Sequence, residues 1–167
     1  PAMARTYTYS TDRSFTGYPF SGGFREGVDN LLNVSGDYFY WVRETRIDPA
    51  SGNGRELTAT QVTFNKFHLQ TEESVLREGT VTTTLTAYNM VAGQFDDQPA
   101  NFQLPKTITK RYERAGTPTR SVIEHIVTDD YGNEVGRTEA SGIRIERSFY
   151  PIAGVIGQCP GDPHALF

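Results

Sequence analysis

The sequence has one cysteine, Cys159, one tryptophan, and no long apolar segment. A single cysteine cannot form an intrachain disulfide, so burial and hydrogen bonding have to hold the fold together. No apolar run reaches the roughly 20 residues that a membrane-spanning helix needs, and the N-terminus lacks the layout of a secretory signal. The 20 acidic and 16 basic residues give a net charge of -4, which disfavours nucleic acid as a partner.

The length and composition fit one folded domain. A chain of 167 residues with 37% hydrophobic and 22% charged residues is too apolar for disorder and long enough to bury a core. Residues 1–4, Pro-Ala-Met-Ala, have the composition of an expression-tag remnant. We therefore expect the natural sequence to begin near Ala4 or Arg5, inside something longer, and we treat 5–167 as a single β-rich domain.

Strand patterns dominate the sequence. Thr, Val, Ile, Tyr and Phe recur between Gly, Pro, Asn and Asp, and no window has the three-and-four spacing of an amphipathic helix. In Gly79–Tyr88, Val81 and Leu85 alternate with threonines, as in a half-buried strand. The pattern predicts an all-β, mainly antiparallel fold. The predicted strands are 5–10, 37–47, 55–72, 79–88, 106–113, 120–128 and 142–150.

The aromatic segment from Tyr38 to Trp41 predicts the central strand of the sheet. Phe39 and Trp41 would lie on one face and Tyr38 and Tyr40 on the other, as in a strand covered on both sides. Flat rings on a rigid sheet can also stack on sugars, so Tyr38, Tyr40 and Trp41 are candidate residues for binding a ligand or partner, with a glycan as one candidate ligand.

The sequence offers weak grounds for catalysis or metal binding. Cys159 and His164 are five positions apart with Asp162 between them, but a closed zinc site needs about four ligands and the other histidines are distant in sequence. Adjacent acids such as Glu72 and Glu73 on a strand point to opposite faces. We therefore expect no catalytic residue, no metal and no cofactor, and the chain is interpreted as a non-enzyme.

One turn pattern carries a resemblance to a known family. Asp129-Asp130-Tyr131-Gly132-Asn133 resembles the core of the YD repeat, in which an Asp and a Gly close a hairpin, with Asp129, Gly132 and Asn133 as the turn residues. The aspartate can accept hydrogen bonds from turn amides and the glycine can take a positive φ. Ile126 and Thr128 stand where the family usually has tyrosines.

Further stretches are similar to Rhs-type proteins, in particular to B and C components of insecticidal toxin complexes. The stretches are 36–42, 69–72, 77–81, 88–93, 102–107 and a closing Tyr-Pro, Gly and Cys-Pro-x-Asp-Pro-His signature. The signature is taken as a constrained turn that contains Cys159, Pro160, Asp162, Pro163 and His164.

The resemblance implies a function. It implies a non-catalytic segment of an Rhs/YD-repeat shell, which would enclose or present a toxic C-terminal domain of a secreted bacterial virulence protein. Its partners would be flanking Rhs-repeat segments or toxin-complex subunits, and exposed sheet edges could also pair two copies of the chain. The alternative is a self-contained sandwich-like or barrel-like module, secreted and binding a carbohydrate or a protein partner.

Overall fold

A computed structural model describes residues 4–11, 25–34, 36–48, 54–149, 151, 153–158 and 160–161. Alternating Thr, Val and aromatic residues form the strands, because branched and ring side chains pack well on a pleated surface. The strands are β1 (Ala4–Tyr9), β2 (Phe39–Ile47), β3 (Glu56–Asn65), β4 (Gln70–Arg77), β5 (Thr80–Tyr88), β6 (Pro105–Arg114), β7 (Arg120–Thr128), β8 (Glu134–Thr138) and β9 (Arg144–Glu146). Short 3-10 turns span Asn30–Asn33 and Phe95–Asp97.

The strands form one nine-stranded sheet in sequence order, and each strand is antiparallel to the next. The predicted all-β, antiparallel class is therefore confirmed. The sheet is open, because β1 and β9 each have a single neighbour. The described strands make no second layer, so the architecture is neither a sandwich nor a barrel.

Strand register divides the side chains between two faces. The Trp face carries Trp41, Thr83 and Ile123, and the Tyr face carries Tyr40 and Tyr112. In β5 the register places Val81, Thr83, Leu85 and Ala87 on the Trp face and Thr80, Thr82, Thr84 and Thr86 on the Tyr face, as the alternation predicts.

The two ends of the sheet differ in their connections. The loop end carries the β3–β4 turn, the β5–β6 loop (89–104) and the β7–β8 turn, and segment 25–34 packs there. The turn end carries the connections β4–β5, β6–β7 and β8–β9. At β4–β5, Glu78 and Gly79 have φ of 49° and 75°, as in a two-residue turn with positive φ at both central positions.

The apolar core lies mainly at the loop end. Phe67 and Phe102 are buried, at 8% and 6% exposed, and both rings make edge contacts with Phe95. The Phe67 and Phe102 centroids are 5.6 Å apart with the rings 74° from parallel, a favourable aromatic geometry. Ile126 on β7 is buried as well. The connections between strands therefore supply the packing that a second layer supplies in a sandwich.

A buried lysine joins two connections at this end. Lys66, 5% exposed, donates from Nζ to the carbonyl of Val34 at 2.7 Å and to the carbonyl of Gly93 at 2.6 Å. Its ammonium also lies 5.1 Å from the centroid of the Phe67 ring. These bonds satisfy a charge that would be costly to bury alone, and they fix segment 25–34 and the β5–β6 loop to the β3–β4 turn.

Three sequence predictions about the strands are wrong. The strand that contains Trp41, β2, is second from the edge, and its faces are only half-covered, with Phe39 54% exposed. The predicted strand 55–72 is two strands, β3 and β4, joined by a turn. β8 was not predicted, and the predicted strand 142–150 contains only the three residues of β9.

Candidate functional site

The turn between β7 and β8 is organised by Asp129. The Asp129 N–H donates to the carbonyl of Asn133, and the Gly132 N–H donates to the carbonyl of Asp129. The Asp129 carboxylate accepts from the backbone N–H groups of Tyr131 and Asn133 at 3.0 and 2.8 Å and from the Asn133 side-chain amide at 3.0 Å. Gly132 has a φ of 89°. The bond from the Asn133 amide is the main cause that lowers the pKa of Asp129.

The same turn occurs between β3 and β4 with different residues. The Asn65 N–H donates to the carbonyl of Leu69, and the His68 N–H donates to the carbonyl of Asn65. Asn65 Oδ1 accepts from the N–H groups of Phe67 and Leu69 at 2.9 and 3.0 Å. His68 has a φ of 60° at the position that Gly132 holds in the other turn. Asn65–Leu69 and Asp129–Asn133 are therefore equivalent in backbone hydrogen bonding.

A third turn repeats the backbone pattern. Between β8 and β9, the Glu139 N–H donates to the carbonyl of Ile143, and the N–H of Gly142, with a φ of 86°, donates to the carbonyl of Glu139. Sequence reasoning recognised only the turn at Asp129. All three turns begin with an Asp, Asn or Glu, and three positions later each has a residue with positive φ. Two of those residues are glycines, which the sequence would reveal, but in the turn at Asn65 the residue is His68.

His68 connects three parts of the loop end through its side chain. A 2.6 Å hydrogen bond joins its Nδ1 to the hydroxyl of Tyr40, and a 2.5 Å bond joins its Nε2 to Oδ2 of Asp29. The other carboxylate oxygen of Asp29 accepts from the Leu31 N–H and caps the first 3-10 turn. The positive φ of His68 is an unusual conformation for a residue with a side chain, and in this conformation the imidazole bonds to both Tyr40 and Asp29.

The carboxylate, imidazole and hydroxyl have the order found in nucleophilic active sites, but the electrostatics oppose that chemistry. Burial raises the pKa of Tyr40, and the negative charge of Asp29 raises it further. A phenol with a raised pKa is ionised less near neutral pH, so less of Tyr40 is in the nucleophilic phenolate form. The arrangement is suited to fixing segment 25–34 against β2 and the β3–β4 turn.

The predicted stacking residues are divided between the two faces. The Tyr38 and Tyr40 rings are 6.4 Å apart and 24° from parallel, and Tyr40 stacks on Phe64 at 5.3 Å and 21°. All three rings are half-buried. Trp41 points to the opposite face, so Tyr38, Tyr40 and Trp41 do not form one platform. Phe64 takes the third place in the stack.

Most of the predicted signature turn lies outside the described residues. This applies to Cys159, Asp162, Pro163 and His164, whereas Pro160 is described. Pro160 lines a shallow depression of about 450 Å³ together with Ala153, Val155, Ile156, Gly157, Gln158 and Gly161. Among the described residues, no group of three or more His, Cys, Asp or Glu side chains could hold a metal ion, and no helix is long and apolar enough to cross a membrane.

Charged side chains near the start of β8 form a small network. Arg137 contacts Glu124 at 3.1 Å and Glu134 at 2.7 Å, and Arg147 contacts the other oxygen of Glu134. These two guanidinium groups lower the pKa of Glu134 to about 2. Arg137, Thr138 and their neighbours line a second shallow depression of about 370 Å³. This network connects β7, β8 and the residue after β9.

Comparison with protein-family models, curated protein sequences and solved structures finds no significant match to the chain. The resemblance to Rhs/YD-repeat proteins therefore stays a prediction from its motifs.

Proposed function

We propose that this chain is a non-catalytic wall segment of a larger β-shell, of the kind that Rhs/YD-repeat proteins build around a toxic domain. The observation that carries the proposal is the open, single-layered sheet of the described strands, in which β1 and β9 each have one neighbouring strand. A wall needs a continuous sheet that neighbouring segments can extend on both sides, and a meander of antiparallel hairpins provides one.

The exposed surface supports this interpretation. Exposed apolar side chains lie on both faces, including Ile123 on the Trp face and Tyr7 on the Tyr face, at 46% and 50% exposed. A sheet that stands between neighbours would have this surface covered.

Recurring hairpin turns are the second support. The turns that begin at Asn65, Asp129 and Glu139 share one pattern of backbone hydrogen bonds. A repeated hairpin unit can add strands indefinitely, because each unit contacts mainly its neighbours. In this proposal the partners are flanking repeat segments or toxin-complex subunits, the protein is exported from a bacterium, and the acids and histidines have structural roles.

Hydrogen exchange tests the proposal directly. In the isolated chain, the outward amides of β1 and β9 should exchange rapidly while those of β5, the middle strand, are protected. In the longer natural protein that contains this segment, the β1 and β9 amides should become protected. Equal protection of the two edge strands in both forms would contradict the proposal.

The isolated chain gives an independent measurement in solution. A self-contained compact domain of 167 residues has a radius of gyration of about 15 Å. We expect small-angle scattering to give a distinctly larger value for the monomer, or edge-paired dimers at high concentration. A concentration-independent monomer at the compact value would contradict the proposal.

Glycan binding through the aromatic segment has less support. A sugar platform requires exposed rings in one plane, whereas Tyr38, Tyr40 and Phe64 are half-buried and Trp41 faces the other way.

A further inference from the structure

Four cationic side chains gather on the Tyr face towards the turn end, around one exposed tyrosine. We propose that this surface, the cationic patch of Arg77, Lys110, Tyr112, Arg114 and Arg120, binds a sulfated oligosaccharide. All four cations are exposed, and Tyr112 is 39% exposed. They come from β4, β6 and β7, so the sheet and not the sequence order assembles the patch.

Strand register fixes the dimensions of the patch. Arg77 is opposite Thr80, and Thr80 is opposite Arg114, so the two arginines lie two strands apart, about 10 Å. Arg120 is directly opposite Tyr112, at about 5 Å between Cβ atoms. Lys110 and Arg114 lie two positions on either side of Tyr112, each about 7 Å away. The charges therefore surround the ring.

The positive charge of the patch is not neutralised within the described part of the chain. None of its four cations is in an ion pair there, whereas the exposed Arg144 is paired with Glu146. Two acids lie near the patch on this face: Glu124, diagonal to Lys110, is paired with Arg137, and Glu73 lies two strands from Lys110. Unpaired cations concentrated on one surface of a chain with a net charge of -4 indicate a binding site for an anion.

The neighbouring side chains favour a sugar over other anions. Thr80, Thr82 and Thr84 lie on the same face beside the patch, and their hydroxyls can both donate to and accept from sugar hydroxyls. The Tyr112 ring can cover the apolar side of a pyranose, and guanidinium groups match sulfate oxygens through paired N–H groups. Single-stranded nucleic acid is disfavoured, because stacking successive bases needs several exposed rings and the patch has one.

The chain contains a matched control. Arg111 lies between Lys110 and Tyr112 on the same strand, is exposed, and points to the Trp face. Arg114→Gln and Arg111→Gln therefore remove the same charge from the same strand but from opposite faces. Arg120→Gln, on β7, gives a second patch variant that does not alter β6.

Fluorescence anisotropy of the full chain with a labelled, highly sulfated heparin hexasaccharide tests the proposal. We expect Arg114→Gln and Arg120→Gln each to raise Kd by about two- to fivefold, the effect of one exposed ion pair, and Arg111→Gln to leave it within about 1.5-fold. Binding should weaken as salt is raised. Tyr112→Leu should raise Kd for the hexasaccharide while leaving the weaker binding of inorganic sulfate unchanged.

Three results would overturn the proposal. They are absence of binding to the hexasaccharide, equal effects of Arg114→Gln and Arg111→Gln, and binding of oligothymidylate or polyglutamate as tight as that of the hexasaccharide. Thermal melts of the variants confirm that each is folded. The proposal is independent of the wall-segment function, because hydrogen exchange at β1 and β9 does not involve the patch.

Discussion

The loop end and the turn end of the sheet are built from strands of the same composition, yet they differ in what stabilises them. At the loop end, Phe67, Phe102 and Lys66 are buried and connections from three parts of the chain contact one another. At the turn end, short turns leave Tyr112 and Arg114 exposed. The difference shows that a one-layer sheet can acquire a core from its longer connections. Because the core is at the loop end, side chains at the turn end stay exposed and can take part in an interaction.

The largest effect should come from removing a ring at the loop end. Phe102→Ala deletes a buried side chain that contacts Phe67 and Phe95. We expect the free energy of unfolding to fall by about 3 kcal/mol, as for other buried Phe-to-Ala changes. Tyr112→Ala at the turn end should cost less than about 1 kcal/mol, because that ring is already partly in water. Urea denaturation of both variants measures the contrast, and equal losses would contradict it.

The buried lysine should give the next largest effect. Lys66→Met keeps most of the apolar stem but leaves the carbonyls of Val34 and Gly93 without their donor. Each unsatisfied buried acceptor costs about 1 to 3 kcal/mol, so we expect a loss of about 2 kcal/mol. Lys110→Met, at an exposed strand position, should change stability by less than about 0.5 kcal/mol. A Lys66→Met variant as stable as Lys110→Met would show that the ammonium does not hold the connections.

The strands could be predicted from the sequence because their pattern is local. Alternation defines β5, and the turn formers around β7 give its bounds, Arg120–Thr128, as the structure has them. β8 was missed because Glu134–Thr138 has a single apolar side chain, Val135, and so shows no alternation. The β3–β4 turn was missed because it has neither Gly nor Pro, and Asn65 with a left-handed His68 replaces them.

The position of β2 and the composition of the sites could not be predicted for a different reason. Aromatic residues in a strand normally indicate a covered, central position, but here Tyr40 is half-covered by His68 and Phe64. His68 and Asp29 are 39 positions apart, and no sequence signal connects them. Likewise, only the strand register places Arg77 two strands from Arg114 on the same face. Non-local contacts decide all of these features.

Acid should act on the loop end through Glu134. The pKa of this carboxyl is about 2 in the fold against an ordinary value of 4.5, chiefly because Arg137 donates to it. A lowered pKa means that the ionised form stabilises the fold fully above about pH 4.5, and this contribution is lost as the pH falls towards 2. The pKa of Asp129 is lowered as well, so its ionised form also stabilises the fold.

Thermal melts across this range measure the acid effect. The Tm of the parent should fall as the pH is lowered from about 4.5 to about 2. Glu134→Gln should melt at a lower temperature near neutral pH and converge with the parent in acid, because it lacks the titrating group. Glu146→Gln removes an exposed ion pair with Arg144 and should follow the parent curve. If the Tm of the parent and that of Glu134→Gln fall in parallel as the pH is lowered, Glu134 has no role in the loss of stability in acid.

The smallest expected effect concerns the two equivalent turns, where His68 and Gly132 have the same backbone role. His68→Ala and His68→Gly both remove the bonds to Tyr40 and Asp29, but only alanine retains the cost of a positive φ. We therefore expect His68→Gly to be more stable than His68→Ala by about 1 kcal/mol. This reverses the order found where φ is negative, because glycine there loses more conformational freedom on folding. Chemical denaturation of the two variants decides it. If the alanine variant is as stable as the glycine variant, the turn must relax out of the left-handed conformation once the imidazole is gone. In that case the bonds to Asp29 and Tyr40 impose the positive φ, and the turn itself does not require a positive φ.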